Sequence, residues 1–202
     1  MPLDPRTPVL VGCGQIKQRV DDPREAKEPL ALMVEAAERA ADDAGSRDLL
    51  RACDSIRVPH GLWRYSNPAA LLREKFGCTG AQTAWAPIAG STVQRMLSHG
   101  ANEIVAGARD VVLLVAAESE RTKRRAKSAG IPLAWTEQEG DAPDEDFGFS
   151  ESDPGFGDWE RRFRPHPPPA FALYENALRH ARGETVPDHR VRIAELWSRF
   201  SH

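Results

Sequence analysis

Long hydrophobic runs, an excess of either charge and a cysteine framework are all missing from this chain of 202 residues, and each absence removes a class of protein. No apolar stretch approaches the roughly 20 residues needed to cross a bilayer, and MPLDPRTPVL lacks the basic and apolar regions of a secretion signal, so a cytoplasmic protein is expected. The formal charge of −3 and a pI near 6.1 give no electrostatic reason to bind nucleic acid or an anionic membrane. Cys13, Cys53 and Cys78 are too few and too scattered for a disulfide scaffold or a zinc ribbon, and read as free buried thiols. No metal is expected either. GDAPDEDFGFSESD lacks the ordered ligands and terminal glutamate of a calcium loop, and His166, His180 and His189 are too spread to form a ligand set.

What remains is ordinary: 41% hydrophobic residues, enough for one sizeable core and a smaller subdomain. Charge divides the chain. Acidic and basic residues balance up to Ala117, so the whole net charge lies beyond it, where proline and glycine also crowd. This places a boundary at 118–120, with an N-terminal domain over 1–119 and a loop and helical subdomain over 120–202.

Strand and helix patterns alternate in the first part. Thr7 to Gly14 (TPVLVGCG) has the continuous apolar and β-branched character of a buried strand. In EPLALMVEAAERAADDAG, Pro29 suits the first helical turn and Gly45 the position past the end, while Leu30, Met33, Val34, Ala37, Ala40 and Ala41 form one face for a sheet. A weaker strand, Cys53 to Val58, precedes a short helix that Asn67 caps, Pro68 opens and Gly77 stops. Gln82 to Ile88 and Val111 to Ala116 read as the third and fourth strands. This alternation predicts an α/β fold, a βαβαβαβ sheet domain with parallel strands and helices on both faces.

AWAPIAGSTVQRML, residues 84–97, is a strand turning sharply into a helix expected over 91–109. Such an elbow exposes a side chain beside the free N–H groups and partial positive charge of a helix start, a favoured mounting for a nucleophile. Ala89 occupies the turn. The apolar positions Val93, Met96, Leu97, Ala101, Ile104, Val105 and Ala108 cover more than half the helix circumference, which predicts burial between layers, with His99 in a structural role. Trp63 and Tyr65 read as packing anchors of the loop after the second strand, with an acyl-pocket wall as the alternative.

The ordered set of RTPVLVGCGQ, the helix ending AADDAG, the elbow and ARDVVLLVAAES resembles the N-terminal half of the thiolase superfamily, best over residues 5–120. Gly90, Ser91, Val93 and Gln94 match the family's elbow; Thr92 stands where it has glycine, and Ala89 where it has the nucleophilic cysteine. The resemblance is nearest to divergent thiolase-like or acetyl-CoA acetyltransferase-like members. It implies that Ala89, Gly90 and Ser91 border a thioester site, and that acyl-cysteine formation is lost. Ser91 would need an adjacent base to substitute. The family's GHP-like and CxG-like motifs do not occur here, implying a chain shortened relative to a full thiolase.

Residues 118–202 correspond to the family's loop domain, which holds CoA. Arg121 and Arg124 of ERTKRRAK are candidate contacts for CoA phosphates; a solvated helix face or salt bridges to the acidic Glu137–Glu160 stretch is the alternative. Helices are expected from Pro169 to Arg182 and over 188–200, pairing into a small cap on the sheet domain. Two function classes follow: an acyl-CoA acyltransferase of altered chemistry in lipid metabolism, or a non-catalytic module that binds CoA thioesters or a partner subunit. CoA or acyl-CoA is the expected ligand, with no tightly bound cofactor. A homodimer joined through the third strand, or a companion subunit supplying the second half, is the expected assembly. The Gly12-x-Gly14 pair as a dinucleotide loop is a third reading, lacking the further glycine and acidic residue that loop needs.

Overall fold

The computed structural model describes residues 4–148 and 167–201. The chain forms two compact units, Met1–Phe149 and Ser150–His202. The break in composition near residue 118 does not coincide with this division, because residues 120–148 pack into the first unit.

Local sequence explains the helices of that unit. Helix α1, Pro29–Asp43, begins on its proline and is followed by Gly45 at φ +80°. A single turn, α2, spans Asp48–Arg51, and α3 spans Pro68–Phe76. The Asn67 side chain accepts from the Ala70 amide at the start of α3, and Gly77 ends it in the left-handed conformation. Helix α4 is Thr92–Val105, shorter than the sequence suggested at its carboxyl end. Helix α5 is Glu120–Ser128.

Four strands, β1 Ser55–Pro59, β2 Gln82–Ala86, β3 Val112–Leu114 and β4 Glu145–Asp146, form one sheet in the order β3-β1-β2-β4. Every pairing is parallel, with Ile56 opposite Thr83 and Leu113, and Ala84 opposite Glu145. Alternation along β1 sends Ile56 and Val58 into the core with Met33 of α1 and Leu72 of α3, whereas Ser55 and Arg57 face α4. Helices therefore cover both faces, as an α/β sheet of parallel strands requires.

Three expectations need correction. Thr7–Gly14 is not a sheet strand: β1 pairs directly with β3, and the segment lies on α1 instead. Gly12 and Gly14 make that contact possible, because a Cβ at either would sit 2.1 Å from the carbonyl oxygens of Ala40 and Ala36. The glycines thus serve packing, not a phosphate loop. Helix α4 is not buried between layers. Only Thr92, Met96 and Gly100 are buried, while Val93, Leu97 and Val105 are exposed. Cys13 is exposed, although Cys53 and Cys78 are buried as expected.

The second unit contains helices α6, Pro167–Ala181, and α7, Val186–Phe200, joined by a turn at Gly183. Thr185 caps α7 by accepting from the Asp188 amide. The buried His189 ring lies 2.6 Å from Glu184 and 3.1 Å from Glu175, linking α7 to the connecting turn and to α6. Of the expected aromatic anchors of the acidic stretch, Phe147 is half-buried, and Phe149, Phe156 and Trp159 lie outside the described residues, as does His166. No helix among the described residues is long and apolar enough to cross a membrane.

Candidate functional site

Parallel strands bring their carboxyl ends to one edge of a sheet, and the loops that leave them gather there. Three such loops are tied together in this chain. The His60 amide, just after β1, donates to Ala86 O at the end of β2 (2.8 Å). The Leu62 amide donates to the Glu118 carboxylate beyond β3 (2.6 Å), and Trp63 Nε1 donates to Ala117 O (3.1 Å).

The half-buried His60 ring stacks obliquely on Trp63 at 4.8 Å and meets Trp85 edge-on at 5.5 Å. Burial pushes the pKa of His60 below the usual histidine value, and the nearby Glu118 carboxylate opposes that shift. Its neutral imidazole can accept or pass a proton, and the indoles give it an apolar setting. Trp63 and Tyr65 are buried loop anchors: the Tyr65 hydroxyl donates to Glu28 and accepts from the Leu30 amide. Burial raises the Tyr65 pKa well above its ordinary value.

The elbow occupies Pro87–Ser91, between β2 and α4. Thr92 holds it closed. Its hydroxyl donates to Pro87 O at 2.7 Å, and its amide donates to Ala89 O at 3.2 Å. A glycine in place of Thr92 would lack the first of these bonds. Ala89 is half-buried at the bend, and Gly90 and Ser91 are exposed. Ser91 holds the N-cap position without a side-chain capping bond. The arrangement presents a methyl group beside a helix start, and so offers a surface for a ligand but no attacking atom. Burial raises the Cys53 thiol to about 11 and pushes Cys78 up as well, so neither provides a thiolate at neutral pH.

Arg121 and Arg124 both lie on α5, directly after β3. Arg121 donates to Val20 O at 3.4 Å, and the exposed Arg124 pairs with Glu120 at 3.0 Å. Arg125 pairs with Asp21. The partners of this basic helix among the described residues are therefore Glu120, the 20–21 segment and the Leu62 carbonyl, which accepts from Lys123. The outer edge of β2, the strand expected to join a homodimer, pairs with β4 at Ala84 and Trp85.

A cluster missed in the sequence lies between the sheet and α4. The fully buried Arg57 guanidinium donates to Ser55 Oγ (3.2 Å), Met96 O (3.0 Å) and Glu103, and lies 3.1 Å from His99 Nδ1. Glu145 of β4 is 3.7 Å from His99 Nε2, and Arg109 is 3.7 Å from Glu103. Phe147 packs edge-on to His99 and beneath Arg57. Burial lowers the Arg57 pKa, an effect that the Glu145 charge opposes. His99, Glu103 and Glu145 bring donor atoms within 4.8 Å of one another. Arg57 already supplies a cation to those carboxylates, which makes this a structural ion network. The i, i+4 spacing of His99 and Glu103 on α4 was the available signal; Arg57 and Glu145 gave none.

No protein-family profile matches the chain, and no curated protein matches it. Among solved structures it is similar to a monomeric SCP2-thiolase like protein type 1 from Mycobacterium smegmatis, at 30% identity over 55% of this chain and 23% of that one. The TM-score is 0.43. The chain spans less than a quarter of that protein's length.

Proposed function

We propose that the chain is a thiolase-like module that binds CoA thioesters at the carboxyl edge of its sheet and does not form an acyl-enzyme. The observation that carries this reading is Ala89 at the bend between β2 and α4 of an all-parallel sheet, in a segment whose neighbours Gly90, Ser91, Val93 and Gln94 follow the thiolase elbow. In that arrangement a thioester carbonyl would approach the start of α4, where unpaired amides attract a partial negative charge. Without sulfur at position 89 there is no atom to take the acyl group. Arg121 and Arg124 are the proposed phosphate contacts; binding would exchange the Arg124–Glu120 pair for a phosphate.

Calorimetric titration with acetyl-CoA and acetoacetyl-CoA tests the reading, with thiolysis of acetoacetyl-CoA followed in parallel. Saturable binding without turnover is expected, weakened by Arg121→Ala and Arg124→Ala. Absence of binding refutes the module, and turnover refutes the loss of chemistry.

A further inference from the structure

Among the described residues three histidines are buried or half-buried, His60, His99 and His189, and two of them are committed to charged partners. His99 faces Arg57 at Nδ1 and Glu145 at Nε2, and His189 faces Glu184 and Glu175. His60 is different. Neither of its ring nitrogens makes a hydrogen bond or ion pair with another described residue, and neither is sealed from solvent. Its ring contacts are the indoles of Trp63 and Trp85, which fix its place without engaging its nitrogens. A histidine that serves the fold ordinarily engages its nitrogens within the protein. This one leaves both for a group that arrives from outside.

The backbone sets the ring beside the elbow. The His60 amide donates to Ala86 O at 2.8 Å, and Pro87, the first residue of the bend, follows Ala86 directly. From beyond β3 the Glu118 carboxylate accepts from the Leu62 amide at 2.6 Å and so holds the loop that carries His60. Its charge acts on the imidazole against burial, yet burial prevails, and the ring is a neutral base at pH 7.

We propose that His60 is the general base with which water hydrolyses a CoA thioester bound at the bend. The position of the thioester rests on the proposed function; the base is a further assignment. The water oxygen bonds to the thioester carbonyl carbon while the imidazole takes one of its protons. The tetrahedral oxyanion then collapses, the carbon–sulfur bond breaks, and the imidazolium returns the proton to the departing thiolate, leaving a carboxylic acid and CoA. No acyl-enzyme forms and no free CoA is consumed, so this reaction is separate from the thiolysis lost with sulfur at position 89.

Acetyl-CoA incubated with the full chain in isotopically labelled water, without added thiol, tests the step, with CoA and acetate followed by mass spectrometry. Cleavage about a hundredfold to ten-thousandfold above the protein-free rate is expected, with one labelled oxygen in each acetate. The rate should be level at neutral pH and fall only below the ordinary histidine value of 6.5, as the imidazole gains a proton. His60→Gln should lose the cleavage and keep the binding seen by calorimetry. Cleavage that survives in this variant overturns the assignment, and so does a rate in the unaltered chain that follows hydroxide concentration throughout about pH 5–8. Binding of acetyl-CoA without any cleavage overturns this inference alone, whereas absence of binding overturns it together with the proposed function.

Discussion

The two faces of the sheet are built on opposite principles. On one, Ile56 and Val58 meet Met33, Leu72 and the small residues of α1 and α3 in an apolar core. On the other, the buried apolar cluster is Ala84, Ala86 and Met96, and Arg57 with its carboxylates fills the space that side chains of Leu or Ile size would take. The first face is sustained by packing, whose cost of disruption follows volume. The second is sustained by compensation of charge, whose cost of disruption follows the partner left behind.

The largest effect expected from this contrast is at Arg57. Arg57→Ala strands Glu103 near the sheet and should cost about 3–5 kcal/mol in denaturant unfolding, whereas Arg57→Met combined with Glu103→Leu should recover much of the loss. A double variant no more stable than the single one would show that packing, not charge, governs this face. Next comes volume: Leu72→Ala in the closed core should cost about 2–5 kcal/mol, while Leu97→Ala on exposed α4 should stay within about 0.5 kcal/mol. Similar losses at both sites would erase the distinction.

A smaller effect sharpens the comparison at its margin, where β4 joins the sheet. The Asp144 carboxylate accepts from both the amide and the hydroxyl of Thr83, each at 2.8 Å, and these bonds, the amide's first, hold its pKa below the ordinary 3.8. A lowered folded pKa contributes stability above the unfolded value that is lost as pH falls through the folded one. Exchange protection around β4 should therefore decline below about pH 4, and Asp144→Asn should remove that dependence. Half the side chain is exposed, so solvent keeps the effect small.

Legibility in the sequence followed the same division. Local signals were read correctly where a residue acts on its own turn: Pro29, Asn67, Gly77 and Gly183 each mark the start or end of a helix. The elbow was also legible, because an apolar run, a glycine and helical spacing adjoin within 14 residues. Long-range choices were not. Thr7–Gly14 has a strand's composition, yet two glycines allow it to lie on α1, and no local pattern specifies which neighbour β1 accepts. The apolar stripe of α4 implied burial, but the sheet opposite it ends in alanines and an arginine and covers only a narrow part of that stripe. Nothing in SIRVP marks Arg57 as buried, because its partners lie 42, 46 and 88 residues away in sequence, at His99, Glu103 and Glu145.

The proposed function turns on what the bend before α4 would do to a sulfur atom. The direct measurement is the pH profile of alkylation of Ala89→Cys in a Cys13→Ser background, with mass spectrometry after incubation with acetyl-CoA. The account predicts a thiol that titrates below the ordinary value of about 8.5 and gains an acetyl group. A thiol at position 89 that titrates at or above that value and stays unacylated would contradict it.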